Sequence, residues 1–147
     1  MTTKYKQVEV IEEFIDAIRL RVDVFIKEQQ CEPGWEPDEE DKTSKHFIAK
    51  VGNKIVGTVR LRQFNQGDAK IERMVIDKAY RGKGVGEGLV RYIVIQAKKS
   101  KPKRIWMEAQ TQAQKFYEKC GFRTISKPYD LYGIEHVDME LFPPIRK

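Results

Sequence analysis

The chain has 147 residues, 40% of them hydrophobic and 34% charged, and its 28 Lys+Arg against 22 Asp+Glu leave a net charge of +6. That length suits one domain, spanning 1–147, which can bury about two-thirds of its unfolded surface. The absence of a long uncharged apolar run argues against a membrane span, and Cys31, Cys120, His46 and His136 are too few and too scattered for a disulfide framework or a metal site.

Read in chain order, Tyr5 to Ile11 alternates as a first strand, and Phe14, Ile18, Val22, Phe25 and Ile26 fall at helical spacing within Glu12 to Gln29. The Pro- and acid-rich stretch from Glu32 to Ser44 reads as a loop. His46–Val51 and Lys54–Gln63 are strands joined at Gly52-Asn53, and a turn at Asn65-Gln66-Gly67-Asp68 leads into the strand Lys70–Ile76. A helix from Val85 to Lys99 points Val85, Leu89, Val90, Ile93, Val94 and Ala97 inward. Arg104–Ala109 is the next strand, a short helix runs through Cys120, and Phe122–Ser126 with Ile134–Leu141 closes the chain as a strand pair. The order β-α-β-β-β-α-β-α-β-β implies an α/β (α+β) fold with a mixed, mostly antiparallel sheet and helices on both faces. The strand–helix–strand crossover around Val85–Lys99 makes one pairing parallel.

The glycines ahead of that helix carry the strongest chemical signal. In Arg81-Gly82-Lys83-Gly84-Val85-Gly86, three missing Cβ atoms let a ligand approach the main chain. The helix behind them offers unpaired N–H groups and a positive dipole end, which suits phosphate. A Walker loop is excluded because Gly82-Lys83 is followed by Gly84, and a G-x-G-x-x-G fingerprint fails because Glu87 or Leu89 takes its last place. The pattern present is R-x-x-G-x-G, with Arg81, Gly84 and Gly86 in its fixed places.

This hexapeptide resembles the acyl-CoA pyrophosphate loop of the GNAT N-acetyltransferase superfamily. Downstream, Gln110 to Phe122 is similar to the second signature of that family, N-x-x-A-x-x-L-Y-x-x-x-G-F, matching at Ala113, Tyr117, Gly121 and Phe122. Gln110 stands for the usual Asn and Phe116 for Leu. Arg21 to Gln29, His46 and Gly133 to Met139 resemble the narrower ElaA/YjcF-like branch. The resemblance implies two central parallel strands, Lys70–Ile76 and Arg104–Ala109, splaying apart to leave a wedge. It implies acetyl-CoA as co-substrate, with pyrophosphate on the amides of Gly82, Lys83, Gly84, Val85 and Gly86, and pantetheine along Met74, Val75 and Ile76. Arg81, Gln110, Ala113, Phe116 and Tyr117 complete the cofactor-binding set.

Acetyl transfer to a primary amine by direct attack in a ternary complex requires a deprotonated amine, an oxyanion donor and an acid for the leaving thiolate. Tyr117 is the candidate acid, against a competing reading as a core aromatic wedged by Phe116 and Phe122. Glu72 is the candidate base, directly or through water, with partial burial expected to raise its pKa. The alternative for Glu72 is an ion pair with Arg60, Arg62 or Arg73. The backbone N–H of Met74 or Val75 is the candidate oxyanion donor. Glu28, Cys31, His46 and His136 are candidate residues on the acceptor side, the histidines as weaker options for proton handling.

The acid-rich run Glu36-Pro37-Asp38-Glu39-Glu40-Asp41 is either an exposed loop or a rim attracting a cationic amine. Lys98 to Arg104 reads as a solvated helix end. The acceptor is a small-molecule amine or a protein amine. The rival functions are a non-catalytic acyl-CoA-binding module of the same fold and a basic nucleic-acid-binding domain, the second disfavoured because no aromatic-rich strand resembles an RNP element. A homodimer through sheet edges or the C-terminal strand is compatible with the sequence. Met1-Thr2-Thr3-Lys4-Tyr5 lacks the apolar core of an export signal, so the cytoplasm is the expected compartment.

Overall fold

A computed structural model describes residues 2–64 and 67–143. The Asn65-Gln66 half of the expected turn lies outside them. The strands β1 (Thr3–Gln7), β2 (Lys45–Val51), β3 (Lys54–Gln63), β4 (Asp68–Ile76), β5 (Arg104–Gln110), β6 (Phe122–Thr124), β7 (Tyr129–Leu131) and β8 (Ile134–Leu141) alternate with helices α1 (Ile11–Arg21), α2 (Val85–Lys98) and α3 (Gln114–Lys119). They form one sheet in the order β1-β2-β3-β4-β5-β8-β6, with β7 paired to β8. Among the described residues only β4 and β5 pair in parallel, an arrangement that the crossover through α2 allows. The expected architecture is therefore present. The short β7, hairpinned onto β8, was not expected, because three residues are too few to show a period.

Alternation along the strands sorts the sheet into two faces. Phe47, Ala49, Val59, Leu61, Ala69, Ile71, Ile105, Met107, Val137 and Met139 pack with Val85, Leu89, Val90, Ile93 and Ala97 of α2 into the main core, which Tyr117 and Phe122 extend. A smaller cluster of Leu20, Val24, Phe25, Cys31 and Val75 lies under α1. Tyr5 donates to Val85 O at 3.3 Å, pinning the start of α2 to β1. At Gly88 a Cβ would stand 2.0 Å from Tyr5 Oη, so no larger residue fits this approach.

The long first helix is interrupted. Glu13 accepts from the amides of Glu9 (2.8 Å) and Val10 (3.4 Å), satisfying donors at the helix start. After Arg21 the chain widens into a π-helical segment, Val22–Glu28, with Gln29 N bonding Val24 O at 2.9 Å. Segments of this kind cost backbone geometry and occur mostly at functional sites.

The acid-rich loop departs furthest from expectation. Glu36 and Asp41 are buried, and the loop's carboxylates turn inward onto arginines from three elements. Arg21 of α1 forks onto Glu36 (2.6 and 2.8 Å) and Asp41 (2.8 and 3.0 Å). Arg60 of β3 reaches Asp38 (2.6 Å), Asp41 (3.0 Å) and Glu72 (2.7 and 3.1 Å). Arg73 of β4 holds Glu36 (3.1 Å) and Asp38 (2.9 Å). A free carboxylate would stay in water, but Arg21 and Arg60 are buried and must be neutralised, and the partly exposed Arg73 adds to the attraction. Only Glu39 among the acids of this run is fully solvent-facing in the way expected of an open loop, and it pairs with Lys42 at 3.1 Å. The segment is a buried tie, not a free anionic rim.

Burial alone would raise the Asp41 carboxyl, but Arg21 and Arg60 hold it down at about 2. A depressed folded-state pKa adds stability above the unfolded value and loses it as pH falls through the folded one. The melting temperature should therefore drop between about pH 4 and pH 2. Asp41→Asn should cost about 3 kcal/mol at pH 7, measured by urea unfolding, and should flatten that acid limb.

Candidate active site

The parallel ladder between β4 and β5 runs from Asp68↔Arg104 only to Ile71↔Met107, although both strands continue. On its other edge β4 carries a bulge. Glu72 faces Arg60 and Val75 faces Thr58, so Arg73 and Met74 together oppose Val59. Arg73 has φ 54°, a left-handed conformation that costs a non-glycine residue about 1–2 kcal/mol. A bulge bends its strand and sharpens the local twist, which accounts for β4 leaving β5 at this point.

A cavity of about 710 Å³ occupies the opening and is lined from both faces of the sheet. On the α2 side it meets Gly82, Gly84, Gly86, Ala113 and Phe116. On the α1 side it meets Glu72, Glu108, Cys31, Trp35 and Tyr132. Met74, Val75 and Ile76 form the wall between them.

Gly82 and Gly84 have φ 74° and 84°, and a Cβ at either would point into open space. Glycine thus turns the chain into α2 and leaves its backbone approachable. The first ladder bond of α2 runs from Gly88 N to Gly84 O at 3.0 Å, so the amides of Val85, Gly86 and Glu87 precede it. The Val85 side chain is in the core, and Lys83 lies over the Tyr80 ring at 5.7 Å. Neither lines the cavity, so of these two expected contacts only the main chain is in position. Arg81 donates to Ile76 O at 2.9 Å and forks onto Glu28 at 2.6 and 2.8 Å, joining the glycine turn to the end of the π-helical segment across the cavity mouth. Gln110 exchanges amide hydrogen bonds with Gln29 at 2.9 and 3.3 Å.

Tyr117 packs edge-on between Phe116 and Phe122, with ring centroids 5.1 and 6.3 Å away. It is buried behind the cavity-lining Phe116, and burial pushes its phenol well above the usual range. Glu72 lines the cavity but is committed to Arg60, to Lys70 at 2.9 Å and to Arg62 at 3.4 Å. Burial acts to raise its carboxyl, yet Lys70 and Arg60 outweigh it, and the net shift is downward. The expected raised pKa is thus reversed, and the pairing with Arg60 and Arg62 is realised. Arg73 is not a partner, since the bulge turns it to Glu36 and Asp38.

The acceptor-side candidates separate. His46 is buried against Phe14, with Nε2 3.0 Å from Asp41 O, and does not line the cavity, because its strand position points under α1. His136 does line it. Its Nδ1–H donates to Ile134 O at 2.7 Å, which fixes the tautomer and leaves the Nε2 lone pair. Cys31 lines the wall with its thiol pushed up by burial, so it is no activated thiolate. Glu28 is at the mouth, taken by Arg81.

Sequence reasoning missed Lys70, Glu108, Trp35, Leu131 and Tyr132. Lys70 bridges Glu72 and Glu108 (2.7 Å) where the strands part, and Tyr129 donates to Asp138 at 2.5 Å beside Glu108. The alternation Trp106, Glu108, Gln110 against buried Ile105, Met107, Ala109 places Glu108 on the face of Gln110, a signal that could have found it. Trp35 and Tyr132 come from loops about a hundred residues apart, where periodicity carries no information.

A family model described as Acetyltransferase (GNAT) domain matches residues 2–142. The Bacillus subtilis protein described as uncharacterized N-acetyltransferase YjcF is 36% identical over 129 residues, covering 87% of this chain and 91% of the relative. The crystal structure of Escherichia coli ElaA superposes with TM-score 0.86 at 22% identity, covering 95% of this chain and 98% of that one. A Bacillus anthracis protein solved in complex with acetyl coenzyme A is 31% identical, with TM-score 0.59, over 67% of this chain and 61% of that one.

Glu72→Gln should leave Arg60 and Lys70 under-neutralised inside the protein. The expected loss is about 2–4 kcal/mol in urea unfolding, whereas Glu28→Gln at the exposed mouth should change stability by less than about 1 kcal/mol.

Proposed function

This chain belongs to the GNAT acetyltransferase family, in its ElaA/YjcF-like branch, and we propose that it transfers the acetyl group of acetyl-CoA to a primary amine by direct attack in a ternary complex. The observation that carries this reading is the parting of β4 from β5 after Ile71↔Met107 beside the unpaired amides that open α2. A thioester on a pantetheine arm fits such a slot. Its diphosphate would rest on the turn from Gly82 to Gly86 while the acyl carbon reaches the centre of the sheet. The whole span 1–147 is read as one catalytic domain.

In this reading the bulge supplies the oxyanion contact. Arg73 and Met74 share one β3 partner position, so the main chain here is released from a regular ladder and the amide of Met74 or Val75 can face the carbonyl oxygen. Tyr117 hands its proton to the departing thiolate. Its raised pKa keeps the phenol protonated until then, and it packs directly behind Phe116, which lines the slot. For the amine proton, His136 fits better than Glu72. The imidazole has a fixed tautomer with a lone pair on the cavity wall, whereas the Glu72 oxygens are already occupied by cations. Glu72 then acts by holding Lys70 and Arg60 in place.

Acetyl-CoA at a hundredfold excess over its Kd should stabilise the protein by about 2.7 kcal/mol, read as a rise in melting temperature. No shift at millimolar acetyl-CoA would sink the reading. Tyr117→Phe should lower kcat by about tenfold or more while leaving that shift intact. His136→Gln should lower kcat by about ten- to a hundredfold with normal acetyl-CoA binding; unchanged kcat in either variant would remove that residue from its role. Binding and stabilisation without thiol release across a panel of amines would instead favour a non-catalytic acyl-CoA module.

A further inference from the structure

We infer that the acceptor is a compact monoamine with an aromatic or apolar body close to its amino group, and neither a polyamine nor an amino sugar. This rests on the acetyltransferase reading and narrows the substrate class of the same cavity.

Charge is the first argument. The cavity-lining carboxylates each face a cation of the chain already: Glu28 with Arg81 (2.6 Å), Glu72 with Arg60 (2.7 Å), Glu87 with Arg91 (3.1 Å) and Glu108 with Lys70 (2.7 Å). Glu36, Asp38 and Asp41 of the acid-rich segment are matched by Arg21, Arg60 and Arg73. Among the described residues, no lining carboxylate remains uncommitted for a second ammonium. At Glu72–Arg60 a polycation would have to break a buried pair and leave a desolvated charge behind, and at the more exposed Glu28 and Glu87 it would have to compete with Arg81 and Arg91. In the proposed mechanism the amine gives up its proton before it attacks, so a lasting ammonium–carboxylate pair cannot supply the affinity and the rest of the molecule has to.

The second argument is the wall. On the α1 side the cavity is bounded by Phe25, Trp35, Leu131, Tyr132 and Ile134. Trp35 and Tyr132 both line its rim, one from the acid-rich loop and one from the β7–β8 turn. Trp35 is held there, because the Arg73 guanidinium lies 4.7 Å from its ring while binding Glu36 and Asp38. A pre-positioned aromatic pair around a charge-balanced site offers stacking and apolar contact, and few uncommitted polar groups for sugar hydroxyls.

Thiol release from acetyl-CoA should be measured with 2-phenylethylamine, tryptamine, spermidine, glucosamine and a lysine peptide, alongside acetyl-CoA-induced stabilisation. The aryl amines should show kcat/KM at least about tenfold above the others. Trp35→Ala should raise KM for 2-phenylethylamine about tenfold with the acetyl-CoA shift unchanged, and Trp35→Phe should restore most of it. Tyr132→Ala should act in the same direction and guards against a folding defect at Trp35. Acetyl-CoA binding with equal or better transfer to spermidine, glucosamine or the peptide, or with no transfer to the aryl amines, overturns this inference alone. Equal losses on every amine in Trp35→Ala overturn it too. Absence of acetyl-CoA stabilisation overturns it together with the acetyltransferase reading.

Discussion

Neutralisation of two buried guanidiniums and a third that is partly exposed constrains this structure more than any other interaction. Arg21, Arg60 and Arg73 come from a helix and two strands, and water cannot solvate the first two. The nearest supply of carboxylates is the segment between α1 and β2, which is drawn inward as a result. Ion pairs of this kind contribute modestly to net stability because desolvation offsets attraction. Their strength is in penalising alternatives, because a placement that left Arg21 or Arg60 without Glu36, Asp38 or Asp41 would strand a buried charge. The loop that carries Trp35 is thereby set against the cavity.

The same arginines connect to the opening between the central strands. Arg73 occupies a left-handed conformation at the bulge, a strained position that its ion pairs to Glu36 and Asp38 help to hold. The bulge bends β4 away from β5, and the cavity follows. A regular β4 would continue its ladder past Ile71 and close the slot.

The site as a whole is close to electrically balanced before any ligand enters. Glu72 shows the consequence. A buried carboxylate near apolar neighbours would be expected to hold its proton more tightly, yet four contacts to cations reverse the sign. The hydrogen bond from Nδ1 to Ile134 O orients the cavity-lining ring of His136, the base in the proposed mechanism. The phenol of Tyr117, by contrast, has burial without a charged partner to relieve it, and remains protonated.

Much of this was legible from the residues in order. The apolar runs of β2 and β3, the alternation of β5 and the helical spacing of α2 are local patterns that need no knowledge of the fold. Gly82, Gly84 and Gly86 declare a backbone without side chains, and the phosphate-sized turn follows from that alone. The order of elements marked where a parallel pair could form, because a crossover helix lets neighbouring strands run the same way, although α1 between the antiparallel β1 and β2 shows that it does not compel it. What the tertiary structure decided were the matters of partnership. Whether Glu36 to Asp41 face water or arginine, whether Glu72 gains or loses acidity, and which aromatic rings line the rim all depend on groups distant in the chain. Charge and burial act through space, so a carboxylate's role is set by the neighbours that folding brings to it and by no property of its own segment.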